Sequence, residues 1–197
     1  SLNAGVIEDL WITGAVREVT AADAAKAPPG AKSFAWTSGV QVTTTNVLTQ
    51  QALGVVERSF PTAIRFDQLI DEAARMVRPY SQWRPSSEDR TVLKLDLLHC
   101  FAAGAVELLA EAPALVNVPG LRPVASAIAR LQARAGQPVS TLRHESIRLA
   151  PELSQLLTLL DGTRDREALM QGSPFVSSLQ QLEEALRLFG YNALLTA

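Results

Sequence analysis

A single cysteine, Cys100, in 197 residues excludes an internal disulfide and fits a reducing compartment. Two histidines and no cysteine cluster give weak support for a metal site. No apolar run approaches the roughly 18 residues that a membrane span needs. No basic start leads into an apolar stretch, so no signal peptide is expected and the expected location is cytoplasmic. Nor is there a surplus of positive charge. Eighteen Lys and Arg stand against 20 Asp and Glu, a net charge of -2, where general nucleic-acid binders carry a basic excess.

What is present is apolar surface. Hydrophobic residues make up 47% of the chain and charged residues 19%, enough for a folded core and too little charge for disorder. The length allows one large domain or two small ones. The opening Ser1-Leu2, without an initiator Met, is what a segment from inside a longer protein would show.

The order of patterns predicts a mainly α chain with small β elements, an α+β fold. Residues 1–44 read as an N-terminal β segment packed on the first unit. Val6 to Val19 is one β-rich stretch, and Ser33 to Trp36 with Val40 to Thr43 form a β hairpin about a turn containing Gly39. Residues 45–118 read as a winged-helix unit of three helices. Leu48, Ala52, Val55 and Val56 mark the first, and Phe66, Leu69, Ile70, Ala73 and Val77 the second. Ser86 and Asp89 have capping-box spacing before a third helix through Leu93, Leu97 and Phe101, which Gly104 ends in left-handed conformation. Ile64-Arg65-Phe66 supplies a small strand between the first two helices. Val106 to Leu109 and Leu115 to Val118 follow as two strands.

Residues 119–149 read as a connector with one helix, Ala125 to Arg134, then an extended stretch from Val139 to Leu149. Residues 150–197 read as a second winged-helix-like unit. Its helices carry Leu153, Leu156, Leu157 and Leu160, then a start capped by Thr163, then Leu179, Leu182, Leu186 and Phe189. Phe189 to Leu195 repeats the layout of Phe101 to Leu109: helix, Gly, short apolar strand.

Chemistry is sparse. No G-x-G-x-x-G follows a strand, and the alternating βαβ order of a cofactor-binding Rossmann domain is missing. His99 and Cys100 are neighbours on a helix, so their side chains point about 100° apart and cannot pair as base and nucleophile. Cys100, among Leu97, Phe101 and Ala103, reads as a buried inert thiol, and His144 as a structural or interface residue. Asp161-Gly162-Thr163-Arg164-Asp165 lacks the spaced ligands and terminal Glu of a calcium loop, and reads as a helix stop followed by a start. The chain is therefore expected to hold no catalytic, cofactor or metal residues. The segment Arg78 to Pro85 is different. Arg78, Tyr80, Trp83 and Arg84 sit in a Pro-bounded loop where a winged helix has a tight turn. They suit a protein contact, and equally a cover folded back on the local core. Trp36 in the hairpin is the next contact candidate.

Several motifs in order resemble one bacterial family. They are Glu8-Asp9-Leu10-Trp11, Phe66-Asp67-Gln68-Leu69, Phe101 to Leu108, Arg122-Pro123-Val124-Ala125 and Ala129 to Ala133. The most specific are Leu142-Arg143-His144-Glu145 and Leu160-Asp161-Gly162-Thr163-Arg164-Asp165. Together they resemble the methyltransferase regulatory domains, whose relatives include proteins similar to bacterial protein-lysine methyltransferases. The resemblance implies an accessory region attached to a class I S-adenosylmethionine-dependent domain of the same polypeptide. It would dock on that domain, order it and help present a protein substrate. This fragment would then be no enzyme alone, would bind no cofactor itself, and would leave S-adenosylmethionine to the missing catalytic domain. The competing reading is a winged-helix transcription regulator. Its third helix would need phosphate-facing Lys and Arg and base-reading side chains. Between Glu88 and Ala103 it has Arg90 and Lys94 against Glu88, Asp89 and Asp96, so no nucleic-acid partner is expected.

Overall fold

The computed structural model describes residues 4–19, 28–36, 39–78 and 83–196. The chain divides into two compact units, Ser1–Pro113 and Ala114–Ala197.

The first unit opens with a 3-10 helix, Ala4–Asp9, followed by β1 (Trp11–Thr13) and β2 (Val16–Val19). Val6 to Val19 is thus two strands and a helical turn where the sequence predicts one stretch. Gly14 explains the break. A Cβ there would stand 2.8 Å from the Ala105 carbonyl oxygen, so the chain turns where only hydrogen fits. Next come β3 (Lys32–Trp36) and β4 (Gln41–Thr44), the predicted hairpin, with β2 on the other edge of β3.

The three helices are α1 (Val47–Ser59), α2 (Phe66–Val77) and α3 (Ser87–Ala102), with β5 (Ile64–Arg65) between the first two as expected. Asn46 caps α1 through Thr49 N–H, and Ser86 with Asp89 forms a complete capping box on α3. After α3 runs β6 (Glu107–Leu109). The third member of the wing sheet is not Leu115 to Val118, as the sequence suggests, but β1. It lies between β5 and β6, antiparallel to both, with Ile12 opposite Ile64 and Leu108. The helices bury Leu53, Phe66, Leu69, Ile70, Leu93 and Leu97 in one core with Ile7, Ile12 and Phe34. Phe101, expected on that stripe, is exposed at the end of α3, and Cys100 is buried instead.

The second unit contains β7 (Val124–Ala125), α4 (Ala127–Arg134), β8 (Val139–Ser140), β9 (Ser146–Ile147), α5 (Pro151–Thr158), α6 (Arg166–Gly172), α7 (Leu179–Tyr191) and β10 (Leu195–Thr196). Residues 119–149 are therefore no free connector. Ala125, Ala129, Ala133 and Val139 share a core with Leu156, Leu157, Leu182, Leu186 and Phe189. The unit starts earlier than position 150 because its sheet needs β7: β7 pairs with β10, and Val124 also bridges Asp161.

That arrangement repeats the first unit. In each, a strand from before the helices pairs antiparallel with the strand after the last helix, and also meets the segment between two helices. The turn out of the last helix repeats as well. In the first unit the N–H groups of Ala103, Gly104 and Ala105 donate to the carbonyls of His99, Phe101 and Cys100. In the second, those of Asn192, Ala193 and Leu194 donate to Leu188, Gly190 and Phe189. Gly104 takes the left-handed position at φ 72°, and Ala193 takes its counterpart at φ 50°. Sequence reading places the second glycine of this comparison at Gly190, which is still helical.

Candidate functional site

Among the described residues no group of His, Cys, Asp and Glu is arranged to hold a metal ion. Cys100 is 1% exposed, and burial, helped by the charge of Asp96, pushes its thiol up to about 11. It is a packed, protonated thiol at neutral pH and no nucleophile.

The candidate contact segment, Arg78 to Pro85, lies partly within the described residues. Of its four named residues, Tyr80 lies outside the described residues, with Pro79, Ser81 and Gln82. Trp83 is half-buried and packs against the first unit's core. The Arg78 guanidinium lies over the Trp83 ring, 5.4 Å from its centre, so one arginine and one aromatic act as a stacked pair. Arg84 is exposed and lines a groove of about 300 Å³ with Asp71, Ala74 and Arg75 of α2. The structure thus brings Arg78 to Trp83 and sets Arg84 beside the outer face of α2. Trp36 is a correction: it is 7% exposed, a core residue under Gly14, and presents no contact surface. The alternation of β3, which buries Phe34 and Trp36 together, already carried that signal.

The cations of α3 are engaged inside their own unit. Arg90 pairs with Asp67 at 2.6 Å and with Glu8 at 3.5 Å, and Lys94 pairs with Glu8. Both lie over the Phe66 ring, 5.2 and 5.7 Å from its centre. The Lys94 hydrogen bond and charge, with Arg90 beside them, hold the Glu8 carboxyl below its ordinary value. These cations tie the N-terminal 3-10 helix and α2 to α3.

The two most specific motifs prove to be turns. Leu142-Arg143-His144-Glu145 links β8 to β9. The Thr141 hydroxyl accepts from the N–H groups of Arg143 and Glu145, and His144 sits at φ 62° with its N–H on the Thr141 carbonyl. Leu142 N–H donates to the Ala193 carbonyl, tying this turn to the one that ends α7. The second motif is a clasp. The Asp161 carboxylate accepts from Thr163 N–H at 3.0 Å, Thr163 Oγ1 at 2.5 Å and Arg164 Nη1 at 2.7 Å. Asp165, rather than Thr163, caps α6 by accepting from Ala168 N–H. Thr163 stands two residues before the N-cap position, because α6 begins only at Arg166, and its hydroxyl instead donates to Asp161. Arg166 then spans from Glu183 on α7, at 3.0 Å, to the carbonyls of Pro119 and Gly120.

The clasp carries a pH prediction. The Thr163 hydroxyl and N–H, then Arg164, hold the Asp161 carboxyl well below the usual carboxylate range. A carboxyl with its folded pKa depressed stabilises fully above its unfolded value, about 4, and loses that contribution as pH falls towards the folded value. Urea midpoints of the chain should therefore drop as pH is lowered below about 4, and Asp161→Asn should weaken that drop while lowering the midpoint at neutral pH.

Residues 122–173 match the model of a family described as PKMT, C-terminal winged helix domain. Both specific motifs lie inside that span, and the resemblance read from the sequence is borne out. No curated protein matches the chain. Among solved structures, PKMT2 from Rickettsia typhi is similar over 100% of this chain, with a TM-score of 0.74 at 16% identity. PKMT2 from Rickettsia typhi in complex with AdoHcy gives a TM-score of 0.76, also at 16% identity over 100% of the chain. At that identity the likeness shows the fold. The chain spans 44% of the length of each.

Proposed function

We propose that this chain is the accessory region of an S-adenosylmethionine-dependent protein methyltransferase, docking on a class I catalytic domain of the same polypeptide and helping to present the protein substrate. The observation that carries this reading is the family match over residues 122–173, set in a chain whose whole fold corresponds to 44% of PKMT2. AdoHcy, bound in one of those relatives, is what S-adenosylmethionine becomes on giving up its methyl group. In this reading the catalytic chemistry belongs to the attached domain; it is supported by the lack of any metal-holding group among the described residues and by the buried, raised-pKa thiol of Cys100.

The engaged state of Arg90 and Lys94 supports this over the regulator reading. A recognition helix gains affinity by trading counterions for its own cations, and these two are already neutralised by Glu8 and Asp67. The isolated chain is therefore expected to bind neither S-adenosylmethionine nor duplex DNA. Micromolar stoichiometric heat with the nucleoside, or sequence-selective DNA binding at physiological salt, would refute it.

The contact we assign to the catalytic domain or its protein substrate is the surface around Arg78, Trp83 and Arg84. Trp83 offers a large ring with few rotamers to freeze, and Arg84 a planar donor on an exposed rim. In the full-length enzyme, Trp83→Ala with Arg84→Ala should lower methyl transfer roughly tenfold or weaken domain association to match, as loss of one interface anchor does. Loss of cooperative unfolding in the fragment would identify Trp83 as core only. Unchanged activity would move the contact elsewhere.

A further inference from the structure

The second unit has a groove of about 550 Å³ that none of the motifs above accounts for. It lies between the end of α4, the segment after β9 and α5. Arg134 and Arg148 line it, together with Gln137, Gln155, Ala133 and Leu149, and no Asp or Glu does. Both arginines are exposed, and neither side chain has an ion-pair or hydrogen-bond partner among the described residues. Elsewhere in this unit the arginines of the turns are committed: Arg164 to Asp161 and Arg166 to Glu183. Arg134 could be explained as a cation in the last turn of α4, favoured by the helix dipole. Arg148 lies on no helix, so that explanation does not reach it.

We propose that this groove binds an acidic peptide segment of a protein partner. Two unpaired guanidinium groups call for carboxylates, which they can hold through paired, charge-assisted hydrogen bonds. The Gln137 and Gln155 amides offer both donors and acceptors, the pairing that a peptide backbone needs. Ala133 and Leu149 give an apolar lining for the aliphatic side chains between the carboxylates. The volume falls within the usual range for a ligand site, about 300–1,000 Å³. A nucleic acid would instead want a run of cations, and a chain of net charge -2 with two arginines here does not supply one. The inference goes beyond the accessory reading and does not depend on it, because binding is measured on this chain without any catalytic domain.

The test is fluorescence anisotropy with the 197-residue chain and a labelled peptide of alternating Glu and Leu. Saturable binding is expected. It should weaken roughly tenfold or more in the Arg134→Gln, Arg148→Gln double variant, the loss expected when charge-assisted hydrogen bonds are removed. It should be unchanged in Arg187→Gln, an exposed arginine of α7 outside the groove. The same peptide with Gln in place of Glu should bind at least as weakly to the unaltered chain, so this arm does not rely on any variant folding. The proposal is overturned if the acidic peptide fails to bind, if the Gln peptide binds equally well, or if the double variant retains full affinity. Displacement of the peptide by millimolar inorganic phosphate would overturn it in favour of a free oxyanion site. Tighter binding of a labelled single-stranded RNA at the same arginines would overturn it in favour of nucleic acid. Loss of methyl transfer through the Trp83 surface leaves these results untouched, so the two readings fail separately.

Discussion

Replacing Gly190 by alanine is expected to destabilise the second unit by about 2–3 kcal/mol, the cost of forcing a methyl group into filled space. Gly190 lies in the last turn of α7, where alanine would ordinarily help by roughly 1 kcal/mol. Here its Cβ would stand 2.8 Å from the Asn117 carbonyl oxygen, and 3.3 Å from both the Asn117 carbonyl carbon and the Val116 oxygen. All three neighbours are backbone, so no side chain can swing aside. Thermal unfolding should shift down by roughly 10–20 °C for a unit of this size. Gly54 of α1 is the control. There the added methyl would meet only the end of the Arg58 side chain, at 3.4 Å, and Gly54→Ala should raise stability slightly. Equal effects at the two sites would mean that the chain before β7 does not pack on α7.

The second large effect is expected at Gly14. An alanine there would place Cβ 2.8 Å from the Ala105 oxygen and 3.3 Å from the Val106 Cα, with the Trp36 indole nitrogen at 3.5 Å. The crossing from β1 to β2 would have to open away from the entry into β6. A cost of about 2–3 kcal/mol is expected, together with a change in near-UV circular dichroism, since Trp36 lies directly beneath. The spectral change distinguishes this site from Gly190, whose substitution should leave the Trp36 signal alone. If Gly14→Ala unfolds at the same temperature as the parent, the close approach of β1 to residues 105–106 is wrong.

The helices were the legible part. Their apolar residues recur at helical spacing, and Ser86, Asp89 and Gly104 mark the ends of α3 through interactions local in sequence. What escaped was decided at a distance. Leu115 to Val118 is as apolar as a strand should be, yet the strand that pairs with β6 is β1, from near the start of the chain. The segment 119–149 looks like a connector because Pro and Gly interrupt it, and no local pattern reveals that Val124 will bridge Asp161. Thr163 is a capping residue by type, but the Asp161 turn carries the chain on to Asp165 before α6 opens, so Asp165 holds the N-cap position. The residue type of Trp36 suggests a contact, whereas its alternation with Phe34 along β3 places both on the buried face. An unusual local composition marks the Arg78 to Pro85 segment as a candidate, whereas nothing local marks the Arg134–Arg148 groove, because its two arginines come from separate elements.

The strand that leads each unit and the strand that closes it are partners, and this dictates how the protein must be made. β1 leaves the ribosome long before β6, and β7 long before β10, so each leading strand waits with an unsatisfied edge until nearly all of its unit has been synthesised. Native contacts of such wide sequence separation carry the loop-closure cost before any reward, which slows folding relative to a simple helical bundle. The exposed edge in the interval is the point at which nascent chains can pair wrongly with one another. With the same device used twice in succession, the first unit can finish and seal its edge while the second is still emerging.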